Sequence, residues 1–260
     1  MENMETPNQN INEKEKNDTD NLTNTTNNEG EEKDLEQSLV TTLANVNDDN
    51  EDLVQNNVEL NERIQGEKEL KDTGEEATTG KYTGQLLNGK ADGKGIWICN
   101  VSKDKYDGEY VNDKKEGQGT YTWIEGDKYE GKYKNDVRSG KGKLVNISGE
   151  IYDGEWLNDS RHGLGVNTWK NGEKYEGNYK DNMFHGYGEM KWLRKEKYKG
   201  NWKNNEMDGK GVYTDKHGKK FDGCFRNGMK HGKFTFKNKK GQVTSVWEYA
   251  DDKVIKKMKK

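Results

Sequence analysis

His162, His185 and His231 fall at equivalent places in a repeating pattern, a spacing that would suit a ladder of metal ligands. The distances exclude it. If one repeat is one hairpin, equivalent residues lie two strands apart, about 9.6 Å, whereas two ~2.1 Å bonds to a single zinc bring ligands within ~4 Å. Hydrogen bonding at turns is the expected role of these histidines. Gly93-Lys-Gly95, Gly117-Gln-Gly119 and their relatives resemble phosphate-cradling glycines, but such loops join a strand to a helix N-terminus and these lie within strands. No nucleophile, base and orienting acid converge in a recognisable motif. Neither catalysis nor a cofactor or metal is expected.

Cations are the remaining candidates. Lys90, Lys114, Lys115, Lys128, Lys134, Arg138 and Arg161 fall in or near turns, so they are expected along sheet edges, and the run Lys253-Val-Ile-Lys256-Lys257-Met-Lys259-Lys260 adds five lysines. Near an anionic membrane each contributes about 1 kcal/mol, screened within a Debye length. The counter-reading is that charge keeps a weakly apolar array soluble, with Asp and Glu diluting any patch. Lys253, Lys256, Lys257, Lys259 and Lys260 are taken as candidate contacts to acidic phospholipid. Aromatics interleaved with lysines can stack single-stranded bases, but rings at packing spacing are occupied with each other, which argues against nucleic acid.

The elements that position these residues are set by a beat of 23: Tyr106-Asp-Gly108-Glu-Tyr110, Tyr129-Glu-Gly131-Lys-Tyr133, Tyr152-Asp-Gly154-Glu-Trp156, Tyr175-Glu-Gly177-Asn-Tyr179, Tyr198-Lys-Gly200-Asn-Trp202 and Phe221-Asp-Gly223-Cys-Phe225. A weaker copy, Tyr82-Thr-Gly84-Gln-Leu86, precedes them by 24. A strict period of this size marks an array of like supersecondary units. Aromatics alternating with charges put rings on one face of a strand, and glycine between two rings leaves a slot for another ring or backbone. Asn112-Asp113, Asn158-Asp159, Asn227-Gly228 and their equivalents follow, residues that tolerate the positive φ of tight hairpins. A second strand such as His162-Gly163-Leu164-Gly165-Val166-Asn167-Thr168-Trp169 comes next, then a turn with glycine in five repeats and Lys195 in the fifth. One hairpin is marginal in water. Stacked side by side, seven hairpins give about fourteen strands extending on the order of 65 Å.

Composition divides the chain elsewhere. Residues 1–80 hold 6 Lys+Arg against 22 Asp+Glu, a net of −16, and no aromatic ring; residues 81–260 carry a net of +12. The first segment, rich in asparagine, is expected to be a disordered acidic tail. Leu35, Leu39 and Leu43, and then Val54, Val58, Leu60 and Ile64, keep helical spacing, which fits either a partner-binding helix or a fluctuating one. The expected division is 1–80 acidic tail, 81–243 seven repeats, and 244–260 a capping strand with a Lys-rich tail. Residues 243–253 read as a closing strand, with Trp247 in the usual glycine position. The apolar C-terminal repeats could form a cap or a homodimer seam. No apolar run approaches a membrane span, and Met1-Glu2-Asn3 begins neither a signal peptide nor a myristoylation site. Cys99 and Cys224 lie in the first and seventh repeats, too far apart for a disulfide, so both are read as free thiols and the protein as cytoplasmic.

The unit Tyr-x-Gly-x-Trp, then Asn-Asp or Asn-Gly, His-Gly-x-Gly and a distal aromatic, resembles the MORN (membrane occupation and recognition nexus) repeat over about residues 82–241. Phe234 replaces a glycine in the seventh copy. The resemblance implies an all-β fold, an elongated single-layer antiparallel β-hairpin solenoid. It also implies a non-catalytic scaffold that binds protein partners, with electrostatic recruitment to acidic phospholipid as an auxiliary mode. Alternatives it implies are a regulatory subunit in phosphoinositide kinase signalling and an axonemal or cytoskeletal subunit. Localisation is then cytoplasmic, or peripheral at a membrane or the cytoskeleton.

Overall fold

A computed structural model of the protein describes residues 62–72 and 78–258. Its strands begin with β1 (Ile64–Asp72), then β2 (Thr78–Leu87) and β3 (Lys90–Cys99) of the first repeat. The next five repeats supply β4 (Lys105–Val111) with β5 (Lys114–Thr122), β6 (Lys128–Lys134) with β7 (Val137–Val145), β8 (Ile151–Leu157) with β9 (Ser160–Thr168), β10 (Lys174–Lys180) with β11 (Met183–Lys191), and β12 (Lys197–Lys203) with β13 (Glu206–Thr214). The seventh supplies β14 (Lys220–Arg226) and β15 (Met229–Lys237), and β16 (Val243–Ala250) and β17 (Lys253–Met258) complete the sheet. The seventeen strands among the described residues are all antiparallel, each paired with its neighbours in sequence, so the sheet is one open meander. At ~4.8 Å per strand it extends on the order of 75 Å in the hydrogen-bonding direction.

Turn chemistry explains the meander. Asn112 and Asp113 have φ of 50° and 69°, and Asn158 and Asp159 have 48° and 65°, the two positive values that a two-residue hairpin turn requires. The second turn residue has another task. Asp136 donates its N–H to the Lys115 carbonyl (3.0 Å) and accepts the Lys115 N–H on Oδ1 (2.8 Å), so each turn clasps the hairpin before it. The clasp recurs between Asp159 and Arg138, Asn182 and Arg161, and Asn205 and Phe184. Gly228 keeps only the backbone half, donating to the Met207 carbonyl at 2.9 Å. At the opposite turns Lys195 adopts φ 65° where most repeats use glycine.

Both ends of the sheet correct the sequence reading. The folded region begins at β1, inside the stretch assigned to the acidic tail, and Ile64 starts a strand instead of ending a helical pattern. Only Leu70 of these nine residues is buried, so the segment carries almost no apolar signature. Pairing with β2, a Trp97 Nε1 hydrogen bond to the Leu70 carbonyl (3.0 Å) and ion pairs hold it in place. At the other end the expected closing strand is a hairpin. Asp251 and Asp252 (φ 47° and 64°) turn the chain back, and most of the Lys-rich tail becomes β17. Leu35, Leu39, Leu43, Val54, Val58, Leu60, Lys259 and Lys260 lie outside the described residues.

Candidate functional site: a ring-packed face and an open face

The recurring residues build one face of the sheet. In repeats one to six the first tyrosine lies flat across a cross-strand glycine pair such as Gly108 and Gly119 or Gly154 and Gly165. A Cβ on Gly119 would meet the Tyr106 ring at 2.3–2.5 Å, and one on Gly108 would meet the Gly119 Cα at 2.6 Å. Glycine is therefore required by space. Beyond each pair the register slips, leaving Gly117 and Gln118 unmatched in their hairpin, a bulge next to which the tyrosine hydroxyl finds an acceptor. Tyr106 Oη donates to the Glu109 carbonyl (3.1 Å), Tyr129 to Lys132 (3.0 Å), Tyr152 to Glu155 (2.8 Å), Tyr175 to Asn178 (3.0 Å) and Tyr198 to Asn201 (2.9 Å).

The second aromatic of each motif wedges between successive tyrosines. Tyr110, Tyr133, Trp156, Tyr179 and Trp202 each contact two of them edge-on, with ring centroids 5.0–5.6 Å apart. Such pairs contribute about 0.5–1.5 kcal/mol beyond burial. Trp156 and Trp202 also donate Nε1 to the carbonyls of Gly142 and Gly188, at 3.0 and 3.3 Å, whereas the Tyr110 and Tyr179 hydroxyls are buried with no partner among the described residues. Burial raises the tyrosine pKa values, that of Tyr82 to about 12 and those of Tyr106, Tyr110 and Tyr133 further.

Cations expected at the edges divide into two groups. Lys90, Lys114, Lys128 and Lys134 are exposed. Lys115 is not: it is 6% exposed, pairs with Asp72 at 2.7 Å and lies 4.9 Å from the Tyr121 ring centroid, tying β1 to the second repeat. Arg138 pairs with Asp159 (2.8 Å) over Trp156 (4.4 Å), and Arg161 with Glu150 (3.1 Å) over Tyr152 (5.3 Å). These three stack on the ring-packed face, where Phe184 replaces them in the fifth repeat, 3.7 Å above Tyr175. Sequence alone did not show that this edge position points inward.

Among the C-terminal lysines, Lys253, Lys256 and Lys257 are exposed on β17, with Lys257 Nζ 5.0 Å above Trp247. Turn hydrogen bonding holds for one histidine only: Nδ1 of His231 lies 3.2 Å from Asp251, whereas Nδ1 of His162, 3.8 Å from Asp181, and Nδ1 of His185 are buried without a hydrogen-bond partner among the described residues. Cys99 and Cys224 are free thiols; hydrogen bonds, chiefly from Ser102, lower the Cys99 pKa to about 7.

The other face is open. Its side chains are those between the aromatics and glycines, and they vary from copy to copy. Over the fourth and fifth repeats they surround a depression of about 550 Å³, lined by Asp153, Glu155, Leu164, Val166, Glu176 and Tyr187 among others. The sequence reading did not single these residues out, although comparing the copies position by position carries the signal.

A single-layer sheet of 23-residue hairpins with one ring-packed face and one variable face defines a repeat platform, a class built for presenting surface. The family model for the MORN repeat matches residues 82–100, 106–128, 129–150, 152–174, 175–192, 198–219 and 221–238, and the chain belongs to this family. No curated protein matches the chain. Among solved structures, similarity is found to the TCP domain of SAS-4 (dCPAP) of Drosophila melanogaster, in complex with a proline-rich motif of Ana2 (dSTIL). There the identity is 10%, the match covers 68% of this chain and 88% of that one, and the TM-score is 0.36. Virginiamycin B lyase from Staphylococcus aureus matches at 10% identity over 72% of this chain and 74% of that one, with a TM-score of 0.17. No helix among the described residues is long and apolar enough to cross a membrane.

Proposed function

We propose that the protein is a non-catalytic scaffold whose open face and sheet edges bind protein partners, and that the lysines of β17 add electrostatic recruitment to acidic phospholipid. Division of labour between the faces carries this reading. The repeated tyrosines, tryptophans and glycines are committed to one another, while the open face presents side chains that differ between copies. Membership of the MORN family supports an interaction module. The location that follows is cytoplasmic and peripheral, at a membrane or the cytoskeleton.

Cosedimentation with phosphatidylserine vesicles tests the lipid component. Binding is expected at low salt and lost at high salt. The triple change Lys253→Ala, Lys256→Ala, Lys257→Ala should weaken it about a hundredfold, at roughly 1 kcal/mol per lysine. No sedimentation even at low salt would remove lipid from the reading and leave the protein scaffold. A homodimer through the C-terminal repeats is supported by Val254 and Ile255, exposed on the last strand, whose outer edge is a template for strand pairing. Light scattering on the intact protein should then give twice the mass of one chain, and a monomer at all concentrations would dispose of the dimer.

A further inference from the structure

Six of the seven repeats place a lysine just before the first aromatic: Lys81, Lys105, Lys128, Lys174, Lys197 and Lys220; the fourth has Ile151. On the open face this lysine commonly neutralises the acid two residues further on. Lys105 meets Asp107 at 3.0 Å, Lys128 meets Glu130 at 3.3 Å and Lys174 meets Glu176 at 3.0 Å. In the seventh repeat Asp222 is neutralised instead by Lys237 at 2.8 Å. Asp153 closes no ion pair among the described residues: isoleucine stands where its lysine would be, and Lys143, opposite it on β7, makes no pair with it. The array closes an ion pair at this position in its other acidic copies and leaves the carboxylate without one in the fourth.

A second departure coincides with the first. Between the two glycines of the second strand the other repeats carry Lys94, Gln118, Lys141, Lys210 and Lys233, whereas the fourth and fifth carry Leu164 and Tyr187. Both point into solvent, 60% and 53% exposed. As equivalents in successive hairpins they lie about 9.6 Å apart, and with Val166 they line the 550 Å³ depression, whose charged lining is Asp153, Glu155, Glu176 and Glu189 against Lys141 and Lys199, an excess of carboxylate. Exposed apolar side chains inside a charged rim mark a protein contact.

We propose that this depression docks a partner segment that presents an apolar side chain flanked by lysine or arginine. The proposal deepens the scaffold reading and rests on it. The partner's apolar group covers Leu164 and Tyr187, and its cation supplies Asp153 with the charge that Ile151 withholds. Acidic phospholipid is disfavoured here, since four carboxylates outnumber the two lysines of the lining. Protein docking and membrane contact therefore fall on different parts of the sheet.

Two synthetic peptides test the site by fluorescence anisotropy against the full chain. They share a central Leu-Leu pair and differ only in having arginine or glutamate as flanking residues. The arginine peptide is expected to bind at least about tenfold more tightly. The variant Leu164→Gln/Tyr187→Gln, which copies Gln118 of the second repeat and leaves charge unaltered, should lose binding about tenfold or more. Asp153→Asn should cause a smaller, salt-dependent loss. Equal binding of the two peptides, or unaltered affinity in the double variant, would overturn the assignment. A folded wild-type protein that sediments with vesicles but binds neither peptide would also overturn it, with the scaffold reading intact. Vesicle binding of the double variant is expected not to fall; a fall would show that the two surfaces are one.

Discussion

In the sixth repeat Tyr198, from the first strand of its hairpin, covers the glycine pair Gly200 and Gly211; in the seventh, Phe234 from the second strand covers Gly223. The ring arrives from opposite sides, yet the row continues: Tyr198 to Phe225 at 5.2 Å, Phe225 to Phe234 at 5.1 Å and Phe234 to Tyr249 at 5.5 Å. Phe221, whose equivalents fill the slot elsewhere, packs instead against Tyr213 and Phe236. What the fold requires is one ring per slot, and either strand can provide it. The hydroxyl is what the seventh repeat gives up, since neither phenylalanine can donate to the carbonyl beside its bulge.

Breaking the phenylalanine arrangement should have the largest effect. Phe234→Gly empties the slot and should cost about 3–5 kcal/mol in denaturant unfolding. Adding Phe221→Tyr should recover most of that by restoring the tyrosine arrangement; no recovery would mean that the two arrangements are not interchangeable. In the tyrosine repeats, Gly131→Ala forces a methyl against the Gly142 Cα and the Tyr129 hydroxyl, at 2.4 and 2.5 Å. Overpacking of this kind costs about 1–3 kcal/mol.

Alkali should separate the two regions without mutation. A buried tyrosine has its pKa raised above the ordinary value near 10, to about 12 for Tyr82, so the unfolded chain releases its protons first. The stabilisation is full below pH 10 and declines as pH rises through 10 to 12. Amide exchange should accelerate first in repeats one to six, and uniform acceleration through repeat seven would contradict the comparison. Tyr152→Phe, which removes the 2.8 Å bond to the Glu155 carbonyl, should lower stability by about 1 kcal/mol. The smallest change is a gain. Gly228→Asn restores the side-chain half of the clasp to the Met207 N–H and should add about 0.5–1 kcal/mol to the unfolding free energy.

The platform was legible because its constraints are local. Tyr-x-Gly-x-aromatic encodes the slot, and Asn-Asp encodes the turn within adjacent residues. The ends and the inward cations were not legible, because tertiary partners decide them. β1 has one buried apolar side chain and is fixed by Trp97 and Lys115, which lie far along the chain. Lys115, Arg138 and Arg161 read as edge charges because nothing in a lysine or arginine announces the ring beneath it. The site at Leu164 and Tyr187 was hidden for another reason: each residue is ordinary alone and becomes informative only beside its six counterparts.

The turn clasp gives the sheet a direction in time. Asp136 follows Lys115 by 21 residues, and each later clasp likewise reaches back one hairpin. During synthesis the N-terminal hairpins leave the ribosome first, and each is secured only when the turn of its successor emerges. Growth then resembles a zip fastener drawn from one end, in which the youngest hairpin is always the loosest and a pause in translation leaves only one unit unfinished.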